Sequence, residues 1–207
     1  MTENYNFDKE NIKIKKLYFI LGIFELFTFV TLLNVSVFNA LLFNFTTEMV
    51  NNMFYIINLL LTLALAISYF KMKPSWCGTI YFINALRTVV ALTVNAFQGE
   101  LTFFSTSSLI YIAECLMIAY MLLASEPKNQ KTLCSLIMLS VVSGTLISSA
   151  STMMKAVEKE ELMIIITSAV SELFNVVTNI VIMMILIKII RFENSKSTPQ
   201  YENQIEN

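Results

Sequence analysis

Residues 162–190 read LMIIITSAVSELFNVVTNIVIMMILIKII, and only Glu172 and Lys188 in that run carry a charge. A helix needs about 20 apolar residues to cross the roughly 30 Å of hydrocarbon in a bilayer. This run is long enough, and five others repeat its pattern: Leu17–Phe38, Met53–Phe70, Cys77–Phe97, Ser107–Ala124 and Leu133–Met153. Of the 207 residues, 56% are hydrophobic and only 14% charged, far from the balance of an ordinary soluble domain. The expected fold is an all-α membrane protein, a polytopic bundle of six transmembrane helices.

The third run is the weakest span, because Asn84, Arg87 and Asn95 interrupt it. An Arg at a helix centre costs about 2.5–3.5 kcal/mol on insertion. A five-span arrangement with that run re-entrant is the alternative.

Lys and Arg in the short connections set the orientation. Lys9, Lys13, Lys15 and Lys16 precede the first span; Lys71 and Lys73 follow the second, and Lys128 and Lys131 the fourth. Lys188, Arg191 and Lys196 end or follow the sixth, whereas only Lys155 and Lys159 fall on the opposite side. Eleven against two predicts both termini in the cytoplasm. The chain then divides into a polar N-terminal arm (1–16), a transmembrane domain (17–190) and a disordered polar tail (191–207). The first apolar run lacks an A-x-A-like cleavage site, so it is expected to be a retained span. Asn34-Val-Ser and Asn44-Phe-Thr match the N-glycosylation pattern on the outer side, with Asn34 too near the bilayer for modification.

Much chemistry is excluded by composition. There is no histidine, which removes the commonest general base, proton shuttle and metal ligand together. The only Asp is Asp8, and no Walker, G-x-S-x-G, H-E-x-x-H or G-x-G-x-x-G pattern occurs. Cys115 follows Glu114, but neighbouring residues on a helix point about 100° apart, and no base accompanies it. Cys115 reads as a small apolar core residue. Cys77 and Cys134 fall at cytoplasmic span ends, where palmitoylation is the modification to test. No enzyme, cofactor or metal centre is expected. A net charge of -1 offers nothing to nucleic acid.

Four ionisable residues remain inside the spans: Glu25, Arg87, Glu114 and Glu172. Placed by the span ends, all four fall within about 6 Å of the midplane. Charges there are costly in lipid and should face the bundle interior. The faces agree. Ser168, Ser171, Glu172, Asn175 and Thr178 form one stripe on the sixth span, and Asn84, Arg87, Thr88, Ala91 and Asn95 a similar one on the third. Tyr18, Gly22, Glu25 and Thr28 line the first span, and Asn58, Thr62, Ala66 and Tyr69 the second. On the fifth, Ser140, Gly144 and Ser148 recur every four residues, a spacing that admits a close neighbour.

Charges on spans one, three, four and six hint at an inverted repeat. The echo ELFTFVT (25–31) against ELFNVVT (172–178) instead links spans one and six, which that repeat would not equate.

One Arg can neutralise only one of three Glu residues, so at least one of the others must be neutral or hold a cation. This arithmetic points to a small transporter or channel. Its site is Glu25, Arg87, Glu114 and Glu172, lined by Asn84, Ser168 and Asn175, and its cargo a proton or cation. Arg87 is expected to pair with Glu114, and Glu25 with Glu172 to share one interior space. The alternative is a non-transporting assembly, regulatory or interaction subunit whose buried charges are structural. The expected partners are the lipid bilayer and, for the second reading, another membrane protein or a second copy.

Overall fold

The computed structural model describes residues 2–42, 49–97, 105–124, 127–157 and 162–197. They form six helices: α1 (Thr2–Leu42), α2 (Met49–Phe70), α3 (Pro74–Phe97), α4 (Ser105–Leu123), α5 (Gln130–Val157) and α6 (Leu162–Ser197). No strand occurs among the described residues. Every expected span falls within one of these helices, apart from Ala124, one residue past the end of α4. Five have described segments long and apolar enough to cross a membrane, namely Glu10–Asn34, Pro74–Phe97, Thr106–Leu123, Gln130–Met154 and Ile165–Ser195. The apolar part of α2, Phe54–Phe70, is shorter. The pattern is that of a multi-pass membrane protein. α3 runs unbroken through Asn84 and Arg87.

Two expected boundaries move. The N-terminal arm is helical from Thr2 and continuous with the first span. The expected tail also begins as helix, because α6 continues to Ser197 with Phe192 and Asn194 buried. The cause is packing: residues after Lys188 still have a face against the bundle, which their polarity alone conceals. Asn44 and residues 198–207 lie outside the described residues.

The turn between α2 and α3 shows how the Lys-rich end is built. Lys73 N–H donates to Ser68 O at 3.0 Å and Met72 N–H to Tyr69 O at 2.9 Å, the pair of bonds that closes a Schellman motif. Met72 takes the left-handed conformation (φ 49°) that the motif requires. Pro74 opens α3, where its missing N–H leaves nothing unsatisfied. Lys71 Nζ lies 5.7 Å from the centre of the Trp76 ring, and Lys128 N–H donates to Tyr120 Oη at 3.2 Å. Aromatic rings beside lysines are the composition of an interfacial belt.

Each helix packs on its neighbours in sequence, α6 returns against α1, and α4 also touches α6. The result is a closed ring whose packing is uneven along its axis. Among the described helical residues, buried positions occur only in the halves nearest the Lys-rich end: 14–22 on α1, 62–69 on α2, 77–88 on α3, 115–121 on α4, 134–141 on α5 and 183–194 on α6. Ile118, Met121, Ile137 and Ile190 are completely enclosed there. In the other halves no described helical residue is buried, and Phe174 is 75% exposed.

Candidate functional site

Contacts in the closed half fix the depth of each charged residue. A side chain at Gly78 would meet Leu123 Cγ at 2.8 Å and Leu122 Cβ at 3.0 Å, so α3 and α4 are in register at that level. Arg87 lies nine residues beyond Gly78 and Glu114 nine before Leu123. At 1.5 Å rise per residue, both sit about 14 Å from the contact, at one depth. On the other side of the ring, Tyr18 stacks against Tyr69 with ring centres 6.3 Å apart, and Tyr69 Oη is 3.0 Å from Tyr81 Oη. Glu25 is seven residues beyond Tyr18, and Arg87 six beyond Tyr81. Glu25, Arg87 and Glu114 therefore share a level.

That level is the upper edge of the closed half. Cys115, next to Glu114, is the first buried residue of α4, and Thr88, next to Arg87, the last of α3. Glu25 follows Gly22, the last buried residue described on α1, by three positions. Thr62 and Thr88 complete the edge, each donating to the carbonyl four residues earlier at 2.9 Å (Asn58 O and Asn84 O). Their hydroxyls are spent on their own helices.

Glu172 is elsewhere. Tyr18 Oη donates to Glu193 Oε1 at 3.4 Å, which sets α6 against α1. Glu25 is seven residues from that contact and Glu172 twenty-one, roughly 20 Å further along the bundle. The expected grouping of all four charges at the midplane is thus corrected, and Glu172 and Glu25 do not share a space. The physical reason is the length of α6: it is pinned at Glu193, beyond the expected end of its span, so its polar stripe rides outward. Glu172 Oε2 instead accepts from Ser149 Oγ at 2.8 Å, a contact between α5 and α6. Along the stripe, Ser168 is half-buried and Asn175 exposed, its Oδ1 accepting from Asn179 Nδ2 at 3.2 Å.

The expected Arg87–Glu114 pair is also not formed. Both side chains lie within electrostatic range of Tyr111 and Cys115, yet neither makes an ion pair or hydrogen bond with another described residue. Glu25 likewise makes neither; it lies within electrostatic range of Tyr69, Tyr81 and Cys77. Arg87 Nε is covered and without a hydrogen-bond partner, as is Asn84 Oδ1 one turn earlier. The Arg87 residue as a whole is half-buried.

Below this level sits a cluster that the sequence only half revealed. Tyr18, Tyr69 and Tyr81 are all buried, and with Glu193 they carry polar contacts from the edge toward the Lys-rich end. Tyr18 and Tyr69 already lay on the polar stripes of their spans. Tyr81, one turn before Asn84, was the signal that completed the set. Cys77, Cys115 and Cys134 are free and buried, which withdraws Cys77 and Cys134 from palmitoylation. Among the described residues no group of three or more acidic or sulfur ligands could hold a metal ion.

Comparison with known protein families, with characterised proteins and with solved structures gives no match.

Proposed function

We propose that the chain is a six-span membrane protein with both termini cytoplasmic, and that it transports or conducts a cationic species: a proton, a metal ion or a cationic solute. The observation that carries this reading is the level of Glu25, Arg87 and Glu114. Three ionisable groups without a bond to a described residue rest on the edge of a closely packed half, with the loosely packed half above them. Buried charges that serve as structural glue are paired or hydrogen-bonded; these are not. A binding level closed on one side and reached from the other is one of the two states that alternating access requires. The lysines at the closed end support placing that end in the cytoplasm.

The alternative, a non-transporting subunit, draws on Glu172. Its single bond to Ser149 joins α5 to α6 as packing does, and it leaves the proposed site at Glu25, Arg87 and Glu114.

Reconstitution into liposomes with an internal pH-sensitive dye and a panel of cations tests the reading. Glu25→Gln and Glu114→Gln should each abolish flux while the protein stays folded, and Glu172→Gln should leave it intact. Absence of flux in the wild-type protein, or its survival in both variants, removes the transport reading. Reporter fusions after Gln98 and after Glu126 should report opposite faces of the membrane.

A further inference from the structure

Building on the transport reading, we propose that the cationic group recognised at the level of Glu25, Arg87 and Glu114 is the ammonium group of a zwitterion, whose carboxylate answers Arg87. Arg87 decides the class. A metal ion or simple amine answers Glu25 and Glu114 but brings a second positive charge beside a guanidinium that has no counter-ion. A simple anion answers Arg87 and meets two carboxylates. A solute with both signs gives Arg87 a carboxylate and one glutamate an ammonium group, and the glutamate left without a cation is then the one held neutral in a region of low dielectric.

The hydrogen-bonding groups point the same way. Arg87 has five N–H donors in a planar fork matched to a carboxylate, and none of them is engaged by a described residue. Asn84 is 7% exposed, and its Oδ1 is an acceptor without a donor one turn below Arg87 on α3. An ammonium group supplies three donors, so Glu114 and Asn84 can both be served by one. Arg87 and Glu114 lie at one depth on neighbouring helices, with Tyr111 and Cys115 within range of both. A small solute bridging α3 and α4 would therefore lie across the line that the missing ion pair leaves open.

The test uses the purified full-length protein and its thermal unfolding in detergent. The probes are the twenty standard amino acids added singly, with ethylamine, propionate and potassium chloride as single-charge controls. A ligand that binds the folded form raises the unfolding temperature. At least one amino acid should do so, and the three controls should not. Arg87→Gln should weaken that amino acid about ten- to hundredfold, the loss expected for a charged hydrogen bond. Arg87→Lys, which keeps the charge but not the fork, should fall between, and Glu172→Gln should match wild type. Wild-type unfolding temperatures of the variants without ligand show that they are folded. If ethylamine or potassium stabilises as well as any amino acid, or if Arg87→Gln leaves the amino-acid shift unchanged, the zwitterion is overturned while cation transport stands. If no probe shifts the protein and no cation flux is seen in liposomes, both readings fall together.

Discussion

α5 begins in one environment and ends in another. Ile137, near its start, is wholly enclosed, whereas Leu146, less than three turns later, is 54% exposed. Gly78 and Gly144 repeat the contrast: the first has Leu122 and Leu123 pressed against it, the second only Ile110 Cγ2 at 3.3 Å. Hydropathy does not distinguish these halves, since both are apolar throughout. In lipid there is little hydrophobic gain in moving an apolar side chain from acyl chains to protein, so close packing and polar contacts decide which half closes. The closed half has what packing needs: tyrosines that bond each other, buried cysteines and small residues at crossings. Hydroxyls that bond their own helix occur in both halves, as Thr28 to Phe24 O and Ser68 to Ala64 O show, and so do not make the difference.

The sharpest way to break this distinction is truncation within α5. Ile137→Ala should cost about 2 kcal/mol or more through the cavity it leaves, and Leu146→Ala less than about 0.5 kcal/mol. Equal costs in equilibrium unfolding from mixed micelles would erase the two-half description. Next in size is the pair of glycines. Gly78→Ala must push α4 away and should cost about 1–2 kcal/mol, whereas Gly144→Ala should be close to neutral in the same measurement. Tyr69→Phe and Tyr81→Phe each remove one buried bond, with an expected loss of about 1 kcal/mol. Ser149→Ala, the corresponding deletion in the open half, should lose about 0.6 kcal/mol. The smallest expected effect is the coupling between Arg87 and Glu114. A double-mutant cycle with Arg87→Ala and Glu114→Gln should give less than about 0.5 kcal/mol, because the two make no direct contact. A larger value would restore the ion pair expected from sequence.

These contrasts also mark what the sequence could tell. Six helices were legible because each apolar run is near the length that lipid demands, and Arg87 and Glu114 could be placed at one depth because a short connection joins their spans. Glu172 was misplaced by the same method, since Lys188 and Arg191 look like the end of a span while α6 continues past them. Partnership was not legible at all. Equal depth on adjacent helices allowed a pair between Arg87 and Glu114, but side-chain direction decides it, and spacing along one helix carries no distance to another. The echo between 25–31 and 172–178 falls on adjacent helices, yet their glutamates end about 20 Å apart in depth. The likeness is one of composition.

Trp76 is the sole tryptophan in the chain. It stands one turn inside the closed end, 52% exposed and beside Lys71. The protein thus has one indole emitter, on the outer surface of the bundle, and in a bilayer it is expected at the boundary between headgroup and acyl chain. Lipids brominated at graded positions along the acyl chain would quench its fluorescence according to depth, and a soluble quencher admitted to one compartment would reach it from one side only. A single optical signal, needing no label, reports which leaflet holds the closed half.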